Sequence, residues 1–168
     1  MAPSDLFFPD LSLRPPKRED EPLQLSSAEA ASHLKAERAR FERGFLRWLR
    51  NADDISGVVE MRSAVAAIEA TQALPSARAF WWITIALLDA LAAQQVTGDF
   101  HVKKLCARID LQMRRLLEGS RTVSERLVRD ALYFVAVAKG GGALVQKVKE
   151  TYQLDALVPG QTADIEPL

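Results

Sequence analysis

Residues 79–93 read AFWWITIALLDALAA, and this stretch decides the fold. Phe80, Trp81, Trp82, Ile83, Ile85, Leu87, Leu88 and Leu91 are apolar nearly all the way round a helical wheel, the pattern of a helix enclosed by its neighbours. Asp89 interrupts the run, which falls short of the roughly 20 apolar residues that cross a bilayer. It therefore predicts the buried central helix of a bundle. Nowhere does the chain alternate apolar and polar residues over a strand's length, and no Asn-Gly or Asp-Gly pair joins two β-rich runs. The expected fold class is all-α, a bundle of five to six antiparallel helices.

Working outward, Pro75 separates the central helix from a second one carrying Val58, Met61, Val65 and Ile68 at helical spacing, and Ser76 is placed to cap the central helix. The first helix opens where Ser26 and Glu29 have capping-box spacing and runs to about Arg50. Leu34, Phe41, Phe45, Trp48 and Leu49 share one of its faces, with Arg40, Arg43, Arg47 and Arg50 on roughly the opposite one. Beyond the break at Thr97-Gly98-Asp99, a fourth helix turns Val102, Leu105, Ile109, Gln112 or Met113, and Leu116 inward. Thr122 and Glu125 suggest a second capping box for a fifth helix, ended by Gly140-Gly141-Gly142, and a short sixth spans about 143–152.

With 168 residues, 48 % of them hydrophobic, the chain suits one domain with a single core. Residues 1–25 hold prolines at 3, 9, 15, 16 and 22 and a charged run, and predict an extended arm. Residues 26–158 form the bundle and 159–168 the start of a linker. Met1 and the polar, Pro-containing tail suggest the amino-terminal part of a longer chain. Within the arm, Leu6-Phe7-Phe8 can dock on a groove of the body or on a partner. The amino terminus lacks the basic and apolar regions of a secretory signal. The lone Cys106 forms no internal disulfide, so a cytoplasmic setting is expected. Lysine plus arginine number 22, as do aspartate plus glutamate, leaving no excess positive field for nucleic acid.

Catalytic chemistry finds little to work with. The two histidines, His33 and His101, read as exposed surface residues, and no spacing matches a metal site. Gly140-Gly141-Gly142 lacks the lysine and serine of a phosphate-binding loop. Helical acids such as Asp110 have basic neighbours at ion-pair spacing, here Arg114. No cofactor, metal or catalytic residue is expected. The candidate protein-binding residues are Arg40, Arg43, Arg47 and Arg50, whose stripe suits either solvent or an acidic partner, together with Phe7 and Phe8. Arg114, Arg115, Arg121, Arg126 and Arg129 form a second cluster.

Several strings carry a family resemblance: Asp5-Leu6-Phe7-Phe8-Pro9-Asp10-Leu11-Ser12, Arg43-Gly44-Phe45-Leu46-Arg47-Trp48-Leu49-Arg50, Phe80-Trp81-Trp82, and the run from Arg108 through Glu118-Gly119-Ser120 to Tyr133. They resemble the amino-terminal region of ChpA-type hybrid histidine kinases and the FimL-like proteins related to them, which belong to the chemosensory system of type IV pili and twitching motility. The resemblance implies a phosphotransfer-like bundle, protein partners within a chemosensory signalling array, possible self-association, and a kinase as the parent chain. Active domains of that type present His-x-x-Lys-Gly on a helix. The resemblance aligns the histidine with Ala66, the lysine with Glu69 and the glycine with Ala70, which implies a degenerate domain without a phosphoacceptor. His101 with Lys104 imitates the spacing and is the alternative phosphoacceptor, although Leu105 replaces the glycine.

Overall fold

The computed structural model describes residues 3–158. Six helices follow in order: α1 (Ser27–Arg50), α2 (Ser56–Glu69), α3 (Pro75–Ala92), α4 (Phe100–Leu117), α5 (Glu125–Ala136) and α6 (Ala143–Tyr152), with a closing 3-10 turn at Leu154–Leu157. No strand occurs among the described residues, and the expected all-α bundle is what forms. The expected linker at 159–168 lies outside the described residues.

The start of α1 is the expected capping box. The Glu29 amide donates to the Ser26 hydroxyl at 3.2 Å while the Ser26 amide donates to the Glu29 carboxylate at 3.0 Å. Elsewhere the caps differ from expectation. Ser124, not Thr122, accepts the Leu127 amide at 3.1 Å and starts α5. Pro75 occupies the first turn of α3, where its missing amide costs nothing, so Ser76 lies inside the helix and caps nothing. Asp99 caps α4 by accepting from the Val102 amide at 3.1 Å.

Helix α3 packs against α2, α5 and α6, while α1 pairs with α2 and α4, and α4 with α5. Of the α3 residues from Ala79 to Leu91, Asp89 alone is not buried. Phe41, Met61, Ile68, Trp81, Ile83, Leu87, Leu105, Ile109 and Met113 fill the interior between them. One contact sets the spacing of α1 and α2. A Cβ added to Gly57 would lie 2.8 Å from the Trp48 amide nitrogen and closer still to the Gly44 carbonyl, and one added to Gly44 would lie 2.9 Å from the Glu60 Cβ. The two backbones touch because neither position carries a side chain. Leu49, expected to face inward, is instead 44 % exposed, since it sits in the last turn of α1 at the edge of what α4 covers.

The arm lies along the body without helical structure. Phe7 enters the core, 3 % exposed, with its ring edge-on to Tyr133 at a centroid distance of 5.5 Å. Its neighbours Leu6 and Phe8 point outward, 80 % and 66 % exposed. Farther along, Arg18 and Arg78 close on Glu69 at 2.9 and 2.7 Å, all three side chains being largely buried. Arg78 also donates to the Pro16 carbonyl at 2.7 Å, and the Leu23 amide donates to the Ala70 carbonyl at 2.8 Å.

Candidate interaction surface

The arginines of α1 divide into two kinds. Arg40 is committed to the fold: its guanidinium donates to Glu60 of α2 at 2.9 Å and to Glu37 at 3.2 Å. The hydrogen bond from Arg40 holds the Glu60 carboxyl below the usual carboxylate range, with Arg47 and Arg43 adding to the effect. Arg43, Arg47 and Arg50 are exposed and close no ion pair within 4 Å among the described residues. The stripe read from the sequence is therefore narrower by one residue as an open surface.

A second surface forms where the arm meets α5. Ser4 donates a short hydrogen bond to the buried Asp130, which Arg108 of α4 also binds at 2.6 Å. Arg126 reaches Asp5 at 3.6 Å. The Arg129 guanidinium lies 5.7 Å from the centre of the exposed Phe8 ring, a cation–π contact, and its buried Nε has no hydrogen-bond partner. Phe7 and Phe8, adjacent in sequence, thus do opposite things: one anchors the arm and the other is presented.

The three positions that the resemblance sets beside a phosphotransfer motif are occupied by packing and pairing within the fold. Ala66 is half-buried and packs against the core. Glu69 is the shared acid of the Arg18–Glu69–Arg78 clasp, and the Ala70 carbonyl is taken by the arm. His33 is half-buried rather than exposed, with its Nε2 placed 3.2 Å from the Ala67 carbonyl, to which it donates. His101 is exposed at the start of α4 and stacks edge-on to Phe100 at 5.7 Å. The Lys104 ammonium sits 6.0 Å from the Phe100 ring centre, and Leu105 is buried in the core.

No group of three or more His, Cys, Asp or Glu side chains among the described residues could hold a metal ion. Cys106 is fully buried, and that burial pushes its thiol up to about 12, far from a reactive thiolate at neutral pH. Asp110 pairs with Arg38 across α1 and α4 at 3.3 Å instead of with Arg114, which pairs with Glu118 at 3.2 Å. The Gly44–Gly57 contact, the Glu69 clasp and the Ser4–Asp130–Arg108 junction were all missed in the sequence. Each joins residues too far apart in the chain for any spacing rule to connect.

Fold and surfaces together define a helical-bundle domain with exposed cationic and aromatic side chains. The chain belongs to the family described as the second domain of the FimL scaffold protein, whose model matches residues 26–164. Scaffold protein FimL of Pseudomonas aeruginosa is 26 % identical over 145 residues, covering 86 % of this chain and 26 % of FimL, so the chain spans about a quarter of that relative. No solved structure gives a significant match. The FimL-like part of the resemblance is thereby borne out at the level of the family. No helix among the described residues is long and apolar enough to cross a membrane.

Proposed function

We propose that this chain is a non-catalytic protein-interaction and scaffold domain of a type IV pilus chemosensory system, built on a phosphotransfer-like bundle that lacks its phosphoacceptor. The observation that carries the reading is the state of the aligned motif. Alanine at position 66 has no nucleophilic nitrogen, and Glu69, where a lysine would attract a phosphoryl group, is an acid already held by Arg18 and Arg78. Kinship with a protein named as a scaffold supports the same role. On this reading residues 1–25 are an arm, 26–158 the interaction bundle and 159–168 the start of a linker, in a cytoplasmic chain whose parent is a hybrid histidine kinase. The partners are proteins of the signalling array, bound through Arg43, Arg47 and Arg50, through Phe8, or through both, and self-association is a variant of the same role.

Exposed His101 with Lys104 one turn away favours a second reading, an active phosphotransfer domain. Its weakness is Leu105: where the motif has glycine, this chain buries a leucine in its core. The scaffold reading is tested by size-exclusion co-elution of the purified chain with the array proteins of its own chemosensory cluster. A stable complex with one of them, lost in R43E/R47E/R50E or in Phe8→Ala, is expected. Elution of the chain alone against every member would overturn it.

A further inference from the structure

We infer that the cleft between α4, α5 and the arm binds a small phosphorylated molecule with a flat aromatic ring, in chemical terms a nucleoside phosphate. The cleft encloses about 470 Å³, within the roughly 300–1,000 Å³ of sites that hold small molecules. Three parts of the chain line it: Phe100, Lys104 and Arg108 from α4, Arg126 and Phe134 from α5, and Ser4 from the arm. The spacing on α4 is what aligns its share. Phe100, Lys104 and Arg108 stand four residues apart, so they follow one another along a single face over about 12 Å. The cleft uses none of the α1 arginines, and the inference goes beyond the scaffold reading without resting on it.

The charges lining the cleft favour an anion. The Lys104 ammonium lies 6.0 Å from the centre of the Phe100 ring and closes no ion pair within 4 Å among the described residues. Arg108 gives one N–H to Asp130 at 2.6 Å, and a guanidinium has five to offer. Arg126 is exposed, 3.6 Å from Asp5 and 4.0 Å from Asp130. Asp130, the acid that lines the cleft, is buried and already accepts from Ser4 and Arg108. Asp99, just outside, caps α4. Even with Asp5 counted against Arg126, cations outnumber acids, and exposed His101 adds a ring N–H. That surplus suits a phosphate, whose oxygens take charge-assisted hydrogen bonds from guanidinium and ammonium groups. The aromatic walls say what the phosphate is attached to. Phe100 is 70 % exposed although it lines a concave surface, so its ring is open to stacking by a planar base, with Phe134 on the α5 side. Inorganic phosphate alone would leave that ring in water. No bond forms to His101 and the ligand leaves as it entered, which separates this site from phosphotransfer.

The test titrates the full chain with adenosine monophosphate, guanosine monophosphate, adenosine and inorganic phosphate, by calorimetry and by the proton chemical shifts of the His101 ring. At least one of the two nucleotides is expected to bind at least about tenfold tighter than adenosine or inorganic phosphate, more weakly as salt is raised, and to shift the His101 resonances. Lys104→Ala and Phe100→Ala should each weaken it about tenfold with thermal unfolding unchanged, since both side chains are exposed. Lys103→Ala is the control: that ammonium lies over the Trp48 ring instead, and binding should stay unaltered. Affinity weaker than about 1 mM for both nucleotides, equal binding of nucleotide and inorganic phosphate, or indifference to either Lys104→Ala or Phe100→Ala would overturn the proposal. So would unmoved His101 resonances, or tighter binding of single-stranded DNA or phosphatidylglycerol vesicles through the same residues. Failure of the chain to co-elute with any array protein bears on the scaffold reading alone and leaves this cleft standing, and loss of nucleotide binding leaves that reading intact.

Discussion

Replacing Gly57 with alanine adds one methyl group where two helix backbones meet, and the structure sets the size of the effect. The new Cβ would lie 2.8 Å from the Trp48 amide nitrogen and nearer to the Gly44 carbonyl, both backbone atoms that cannot rotate away. Overpacking of this sort costs about 1–3 kcal/mol, and a clash with backbone on two sides belongs at the upper end. Alanine's better helix propensity returns at most about 1 kcal/mol. The net loss is about 2 kcal/mol, which for a chain of this size lowers Tm by about 4–8 °C. Thermal and urea unfolding followed by circular dichroism at 222 nm measures it, with Gly142→Ala as the control. That residue has negative φ and no atom within 4 Å of an added Cβ, so its stability should change by less than about 0.5 kcal/mol. Gly44→Ala should resemble Gly57→Ala, and the double variant should lose less than the sum, because the first methyl already forces α1 and α2 apart. An unchanged or raised Tm for Gly57→Ala would refute the close approach of the two helices.

The arm gives two further tests. Phe7→Ala should destabilise the chain by up to about 3 kcal/mol, whereas Phe8→Ala should stay within about 0.5 kcal/mol, and equal effects in urea unfolding would mean that the arm does not use Phe7 as its anchor. Glu69→Gln leaves Arg18 and Arg78 partly buried without their acid, at a cost of about 3 kcal/mol, and should speed tryptic cleavage after Lys17; an arm as resistant as the wild type's would contradict the clasp. Cys106 supplies a pH dependence. Its folded thiol titrates near 12 against an ordinary 9.0, so the folded state holds a proton that the unfolded chain releases. That contribution is complete below about pH 9 and is lost as pH rises toward 12, by about 1.4 kcal/mol per unit, while carboxylates and histidines take no part in this window. Cys106→Ala should flatten the decline in unfolding free energy over that range, and an identical slope would show the thiol to be accessible in the folded state.

The helices were legible because their signal is local. The all-round apolar pattern of residues 79–93 and the Ser26–Glu29 spacing need only a few neighbouring residues to be read, and both correspond to what forms. Thr122 misled because it has capping-box spacing to Glu125, yet Ser124 stands directly before the first helical residue and its hydroxyl reaches the Leu127 amide. Leu49 has the right angular position, but helix ends outrun their neighbours. Gly44 and Gly57 read as costs within their helices until α1 and α2 are laid side by side, when the missing side chains become the reason the two can touch. Surfaces were harder to read. Whether Arg40 is open depends on Glu60, twenty residues away in sequence, and which phenylalanine of Phe7-Phe8 enters the core depends on Tyr133 across the fold.

The central proposal, a bundle that binds without accepting phosphate, is tested most directly by incubating the chain with the kinase core of the chemosensory system to which the proposed function assigns it and labelled ATP, then assaying for acid-labile phosphate beside a working phosphotransfer domain. The account predicts label on the control and none on this chain. Acid-labile phosphate on the chain that disappears in His101→Ala would contradict it and make α4 a phosphotransfer helix.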